Sequence, residues 1–350
     1  MKYALALGGG GARGAFETGV WKAIEELGIE IEAITGTSVG AVNGAAFAAG
    51  ADVLNMWRNL DINDVVKTGQ DNNNLFSLEG LMSLLRKSFS GGLDTTPLKN
   101  LILEYISEDS VRKSSVRFGL CTYSVSERKS VELFIEDIPY GELADYIVAS
   151  ACFPGFRTKK IKGREFFDGG LRNNLPVNML AKQGYDNLLS VSLRAWGLKR
   201  DFESGGVNLI KLEIPEDCEG LMDFNDKAIE KNIGRGYIAL MREFGKIEGV
   251  KYAFRSEEYK KLLSIFGRGF MKNVEIAAEY FKLPDFYVYN FNDIANRLLD
   301  EGNKNKKVKK VTEIIEKSDS NFLKEKIDLL GDLFITATTV VYLKNNFFKT

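Results

Sequence analysis

Hydrophobic positions in the first fifty residues follow two alternating spacings. Short apolar runs at residues 3–7 and 31–36 predict buried strands. Residues 12–27 carry apolar side chains at helical spacing, and residues 38–49 are mostly small, so both segments are predicted to be helices. This order of strand, helix, strand and helix favours a parallel sheet with helices on its faces.

The α/β pattern continues to about residue 215. Strands are predicted at 116–125, 130–135 and 187–193, and a helix is predicted at 141–150. From about residue 223 the spacing becomes mainly helical, with amphipathic stretches at 256–282 and 306–345. We therefore predict an α/β domain at residues 1–215 and a helical C-terminal region at 216–350, which could form a lid, a membrane contact or an interaction surface.

The charge balance argues against a polyanionic partner. The 350 residues have a formal net charge of −1, so nucleic acid is not an expected ligand. Five lysines in residues 302–310 could contact anionic lipid headgroups, but a solvated loop leading into a helix is the preferred interpretation. The sequence does not indicate an oligomeric state.

The cysteines and the apolar segments indicate the cellular compartment of the protein. Cys121, Cys152 and Cys218 are odd in number and widely spaced, which predicts neither disulfides nor a zinc site. The apolar run at 334–343 is too short to span a bilayer, and the apolar start is too short for a signal peptide. We expect a cytoplasmic protein that is either free or peripheral at a membrane.

The first candidate for chemistry is the motif Gly36-Thr37-Ser38-Val39-Gly40. It lies between a predicted strand and a predicted helix, which is the setting of a nucleophile elbow. In such a turn the serine oxygen stands above the sheet, and glycines at both sides avoid collisions with neighbouring backbone. Ser38 is therefore a candidate nucleophile.

The second candidate is the glycine-rich turn at residues 8–14, between the first strand and the first helix. Consecutive glycines allow several backbone N–H groups to converge on one anion, either a phosphate or a tetrahedral oxyanion. A Walker loop needs Gly-Lys-Ser/Thr, which is missing, although Gly9, Gly11 and Gly14 have dinucleotide-like spacing. Arg13 could either pin this loop or face an anionic substrate.

The chain contains no histidine. A Ser-His-Asp triad is therefore impossible, and an activated serine would need a different base. The Asp-Gly-Gly at Asp168, Gly169 and Gly170, taken alone, is more typical of a turn than of a catalytic site.

Taken together, these motifs resemble the patatin-like phospholipases. That family combines a glycine-rich oxyanion loop, a Gly-x-Ser-x-Gly elbow and a later Asp-Gly-Gly, and the three occur here in that order. Residues 149–156, which include Ser150 and Pro154, also resemble the family's Ser-x-x-x-Pro stretch. The resemblance covers about residues 3–215 and implies a three-layer α/β fold with a mainly parallel central sheet.

The resemblance also implies a role for each matched residue. Ser38 would be the nucleophile and Asp168 the base. The positions implied for the oxyanion hole are Gly9, Gly10, Gly11 and Arg13. The positions implied to support the site are Gly36, Gly40, Gly169, Gly170, Asn173 and Asn174.

The function implied by the resemblance is hydrolysis of lipid acyl esters, of the phospholipase A or lysophospholipase type, through an acyl-enzyme. A phospholipid or another lipid ester would be the substrate, met in transient contact with a membrane surface. No cofactor and no metal are expected. Two alternatives stay open, an idle lipid-binding or interaction protein of the same fold and a nucleotide-binding protein that uses the glycine loop.

Overall fold

The computed structural model describes residues 2–65, 92–153, 155–195, 197–198, 206–317 and 320–347. Pro154 of the Ser-x-x-x-Pro stretch and residues 318–319 of the predicted amphipathic segment lie outside these ranges. The chain divides into two compact units, Met1–Leu240 and Met241–Thr350.

The first unit is built on a large mixed sheet. Its strands are β1 (Lys2–Leu7), β2 (Glu30–Thr37), β3 (Arg117–Ser124), β4 (Lys129–Phe134), β5 (Lys159–Ile161), β6 (Arg164–Asp168), β7 (Asn187–Ser192) and β8 (Asn208–Glu213). The strand order is β5-β6-β3-β2-β1-β7-β8, and β4 pairs with β3 outside this path. Strands β3, β2, β1, β7 and β8 run parallel, whereas β4, β5 and β6 make antiparallel pairs.

The helices of the first unit connect and cover these strands. They are α1 (Ala15–Leu27), α2 (Val39–Ala49), α3 (Val53–Arg58), α4 (Ile62–Val65), α5 (Thr96–Tyr105), α6 (Glu108–Lys113), α7 (Leu143–Ser150), α8 (Val177–Lys182) and α9 (Asp226–Glu243). The predicted mixed α/β fold with a mainly parallel central sheet is confirmed.

Alternating side chains of β1 and β2 explain how the sheet becomes the middle of three layers. Ala4 and Ala6 pack with Val177 and Leu180 of α8 on one face. The Leu7 side chain points to the other face, where its Cδ1 would lie 3.5 Å from a Cβ at Gly44 of α2. Both faces of β1 are therefore buried by helices, as its almost continuous apolar sequence requires.

Helix α1 begins later than its hydrophobic pattern predicts. Residues Gly11–Gly14 form a single 3-10 turn, and the α-helix begins at Ala15. Two features keep these residues out of the α-helix. Gly11 has a φ of 54°, and the Ala12 N–H donates to the Leu221 carbonyl at 2.7 Å instead of joining the helix.

Helix α9 lies in the sequence beyond the predicted boundary at residue 215, yet its first part belongs to the first unit. It packs closely on α1, where a Cβ at Gly236 would collide with the Phe16 carbonyl oxygen. The division into a catalytic domain and an appended region stays a prediction.

The second unit is mainly helical. Its elements are β9 (Ile247–Glu248), β10 (Ala253–Arg255), α10 (Ser256–Tyr280), β11 (Val288–Tyr289), α11 (Phe291–Lys304), α12 (Lys306–Lys317) and α13 (Ser320–Phe347). Its core includes Phe254, Met271 and Leu298, and Val308 of α12 packs with Phe334 of α13. The five lysines of residues 302–310 belong to α11 and α12 instead of the predicted loop, and they are exposed.

No helix in the described ranges is both long enough and apolar enough to cross a bilayer.

Candidate active site

Ser38 lies at the sharp turn between β2 and α2. Its φ of 55° and ψ of −125° are unusual for a residue with a side chain, and it occupies the N-cap position of α2 without a side-chain capping bond. Gly36 and Gly40 are required by close backbone approach. A Cβ at Gly36 would collide with the Gly40 carbonyl oxygen, and one at Gly40 would lie 2.6 Å from the Leu7 carbonyl oxygen. The turn therefore has the geometry of a nucleophile elbow.

Strand β3 brings Ser38 and Asp168 together. The last residue of β2, Thr37, pairs with Cys121, and the last residue of β6, Asp168, pairs with Thr122. Strand β4 pairs with these same positions from the other edge, so β2 and β6 share one edge of β3. The C-terminal ends of β2 and β6 consequently meet at consecutive positions of β3.

The Asp168 side chain is buried, with 5% of its surface exposed. Its Oδ1 accepts a hydrogen bond of 2.7 Å from the Gly170 N–H, while Oδ2 has no partner of good geometry in the described part of the chain. Burial raises the pKa of Asp168 to about 6, although the Gly170 amide and the nearby Ser38 hydroxyl each lower it.

The amides of the glycine loop differ in their availability. The Gly9 N–H already donates to the Asn174 carbonyl at 3.1 Å. Among the described residues, the N–H groups of Gly10 and Gly11 have no backbone acceptor, and both glycines line the same cavity as Ser38. Gly10 and Gly11 therefore differ from Gly9 in having N–H groups that are not engaged by a described backbone acceptor.

The Arg13 guanidinium is occupied by backbone carbonyl oxygens. It donates to the carbonyl of Glu219 at 2.8 Å, of Arg194 at 3.0 Å and of Leu193 at 3.3 Å. These bonds tie the glycine loop to two distant segments, so they favour loop pinning over direct contact with a substrate.

The loop after Asp168 is tied to both other motifs. The Asn174 side chain donates to the Gly9 carbonyl at 3.4 Å, and the Thr37 hydroxyl donates to the Asn173 carbonyl at 2.9 Å. A Cβ at Gly169 would collide with the Cys121 carbonyl, and one at Gly170 would lie 2.8 Å from Asn174 Oδ1. These contacts join the loop to both motifs, and the ordering of the loop by these residues stays a prediction of the sequence.

Ser150 is a positioning residue whose role the sequence did not reveal. Its buried hydroxyl accepts a bond of 2.9 Å from the Ser38 N–H and donates one of 2.7 Å to the Cys121 carbonyl. It therefore fixes the backbone on which the Ser38 hydroxyl stands. The only feature of the sequence that pointed to Ser150 was its place in the Ser-x-x-x-Pro stretch.

Ser38, Asp168 and the glycine loop open onto a cavity of about 280 Å³. The rest of its wall is almost entirely apolar. The apolar side chains that line it include Val39, Val42, Met56, Trp57, Leu60, Leu98, Leu101, Phe153, Phe156, Leu221, Met222 and Phe224. A hydrocarbon chain would be desolvated there, directly beside the Ser38 hydroxyl.

A sequence profile of the patatin-like phospholipase family matches residues 5–181. The chain belongs to this family. The matched residues include Ser38, Asp168 and the glycine loop, whereas the second unit lies beyond the match.

Three similar proteins illustrate the relationship. Lysophospholipase nte1 of Aspergillus terreus is 60% identical over 53 residues, which are 15% of this chain and 4% of that protein. Patatin-like phospholipase domain-containing protein 7 of Rattus norvegicus is 28% identical over 199 residues, or 54% of this chain and 13% of that protein. The crystal structure of VipD from Legionella pneumophila aligns with a TM-score of 0.44 and 12% identity, covering 99% of this chain and 92% of VipD. This patatin-like chain thus spans a small part of either curated relative.

Proposed function

We propose that this patatin-like protein hydrolyses the acyl esters of lipids, with Ser38 as nucleophile and Asp168 as the base. The observation that carries the proposal is the place of the Ser38 hydroxyl, next to a buried carboxylate and at the wall of an apolar cavity. The chain has no histidine that could act instead.

In the first half of the reaction, the Ser38 oxygen attacks the ester carbonyl carbon while Asp168 Oδ2 accepts the hydroxyl proton. The Gly10 and Gly11 amides, with the N-terminus of α2, would stabilise the oxyanion that forms. Collapse of this intermediate breaks the bond to the alcohol, and Asp168 returns the proton to the leaving oxygen. The acyl group remains on Ser38.

In the second half, water attacks the acyl-enzyme and Asp168 accepts a proton from it. The intermediate then releases a fatty acid, and the proton returns to Ser38. A carboxylate with a pKa of about 6 suits both halves, because it is ionised at neutral pH and is a stronger base than an exposed aspartate.

Lysophospholipids are the first substrates to test. The apolar cavity suits an acyl chain, and the fungal relative carries the name lysophospholipase. We further propose that the protein contacts lipid surfaces only transiently while it takes its substrate. Cosedimentation with phosphatidylcholine vesicles, with and without anionic lipid, would measure that contact.

The decisive experiment combines fluorophosphonate labelling with mass spectrometry of fatty acids released from lysophospholipids, diacyl phospholipids and neutral esters. We expect a single label on Ser38 and release from at least one lipid class. Ser38→Ala should lose both, whereas Ser190→Ala, which removes another buried hydroxyl, should keep both. Lipid binding without labelling or release would favour an idle lipid-binding protein of the same fold. Binding of nucleotide alone would favour a nucleotide-binding protein that uses the glycine loop.

A further inference from the structure

Three buried polar side chains form a network behind the cavity, and the proposed reaction does not use them. They are Glu17 of α1, Asn43 of α2 and Trp57 of α3, and none is more than 1% exposed. Polar groups buried this deeply are costly unless they are hydrogen-bonded, and each of the three side chains has at least one such bond, although Glu17 Oε1 has no partner of good geometry in the described part of the chain.

Asn43 is the centre of this network. Its Nδ2 donates to the Gly14 carbonyl at 3.0 Å and to Glu17 Oε2 at 2.8 Å. Its Oδ1 accepts a bond of 2.9 Å from the Trp57 indole N–H. Both amide hydrogens and the amide oxygen are thus engaged, and the orientation of the amide is fixed. A rotation of the indole would leave two buried groups unpaired.

Glu17 completes the network as the acceptor of a hydrogen bond from Asn43. Burial raises its pKa well above the usual range, against the opposing effects of the Asn43 amide and the Gly8 backbone. Burial thus disfavours the charged form, and a neutral amide oxygen could take the place of the accepting oxygen.

The indole held by this network lies in the wall of the cavity. Trp57 and Phe224 both line the cavity and stack with their centroids 6.4 Å apart and their planes 12° apart. On another side, a Cβ at Gly14 would lie 2.9 Å from Trp57 Cζ2. Gly14, Asn43 and Phe224 together leave the indole little freedom to move.

We propose that Trp57 determines which acyl chains the site accepts, and that Asn43 and Glu17 are the positioning residues that hold its indole. This inference rests on the proposed ester hydrolysis and adds to it the residue that sets chain selectivity. A network that served only the packing of α1, α2 and α3 would affect stability but not the preference for chain length.

The dependence of kcat/KM on the length of the acyl chain tests the inference. Each methylene buried in an apolar site should raise kcat/KM by about fourfold. The increase should stop at the length where the chain meets the indole, which gives a break in a plot of log(kcat/KM) against carbon number. A smaller side chain at position 57 should move this break to longer chains.

The experiment uses p-nitrophenyl esters from two to sixteen carbons as probes. Trp57→Leu should move the break by at least two carbons, mainly through KM. Trp21→Leu is the matched control, because Trp21 stacks on Phe47 outside the cavity lining and should leave the break in place. An unchanged break in folded Trp57→Leu protein would overturn the inference.

The positioning residues need a separate comparison. Glu17→Gln keeps a neutral acceptor for Asn43 and should reproduce the wild-type break. Glu17→Leu and Asn43→Leu remove hydrogen bonds of the network and should blur or shift the break. A wild-type break in either folded Leu variant would show that the network does not position the indole.

A binding measurement covers the case in which a Trp57 variant fails to fold. In Trp21→Phe/Trp196→Phe protein, Trp57 is the remaining tryptophan. A fatty acid brominated along its chain should quench its fluorescence, with the strongest effect for one bromine position. Absence of quenching despite measured fatty-acid binding would contradict the inference. If Ser38 is not labelled and no ester is cleaved, the proposed function fails, while quenching still reports separately on the indole.

Discussion

Asp168→Asn should make the protein more stable at neutral pH while removing most of its activity. The carboxylate is buried, and burial raises its pKa from the usual 3.8 to about 6. Each pKa unit corresponds to about 1.4 kcal/mol, so the ionised side chain lowers the free energy of unfolding by at most about 3 kcal/mol. Asparagine retains the acceptor for the Gly170 N–H and cannot ionise.

The pH dependence of this effect distinguishes it from other causes of stabilisation. Because the pKa is higher in the folded state than in the unfolded state, the contribution of Asp168 to stability is fully present below pH 4 and lost as the pH rises through about 6. The advantage of Asp168→Asn should therefore be absent near pH 4 and reach its full value above about pH 7.

Urea denaturation of both proteins between pH 4 and pH 8.5 measures this difference. Asp186→Asn, which changes an exposed carboxylate, is the control and should shift stability by no more than about 0.5 kcal/mol at any pH. Turnover of Asp168→Asn should fall at least about a hundredfold, as expected when a general base is lost. A folded mutant that gains no stability at pH 8, or that retains wild-type turnover, would refute the reasoning.

Four further outcomes are expected. The activity of the wild type should decrease as the pH falls through about 6, because Asp168 must be ionised to accept a proton; a rate profile flat from pH 5 to 8 would contradict this. Ser150→Ala should lower kcat at least tenfold with little change in KM, and Ser150→Thr should restore part of it, because the Ser38 N–H loses its acceptor. Gly40→Ala should cost about 1–3 kcal/mol of stability and most activity, whereas Gly269→Ala, with open space around it, should be neutral or stabilising by up to about 1 kcal/mol in urea denaturation. Incubation with EDTA should leave hydrolysis of a soluble ester nearly unchanged, and a loss restored by calcium would contradict the amide-held oxyanion.

Local patterns in the sequence were sufficient for the elements that carry Ser38. The strand predicted at 31–36 is observed as Glu30–Thr37, and the helix predicted at 38–49 as Val39–Ala49. The apolar run, the small residues and the two glycines all favour the same turn, so no distant contact was needed to predict it. Family membership and the mixed α/β fold were predicted correctly for the same reason.

The surroundings of Asp168 could not be predicted in this way. Strand β6 has only five residues and three of them are charged residue types, so its pairing with β3 depends on a partner more than forty residues away. The bond from the Gly9 N–H to the Asn174 carbonyl and the role of Ser150 also join distant segments. Helix α3, which supplies Trp57, has six residues, too few to show a clear helical period.

The register of β3 explains how the proposed reaction can proceed without histidine. In a triad the imidazole spans the space between serine and aspartate, so the carboxylate need not reach the nucleophile. Here Thr37 and Asp168 pair with the consecutive residues Cys121 and Thr122, and Asp168 lies near enough to Ser38 for the serine hydroxyl to lower the pKa of the carboxyl. A slip of β6 by one residue would turn Asp168 to the other face of the sheet. The Asp168 N–H bond to the Cys152 carbonyl at 2.9 Å and the Thr122 hydroxyl bond to the Phe167 carbonyl at 2.9 Å both oppose that slip. In the proposed mechanism Asp168 itself accepts the proton that an imidazole would accept in a triad, and the backbone that fixes this register holds the carboxylate in place for that role.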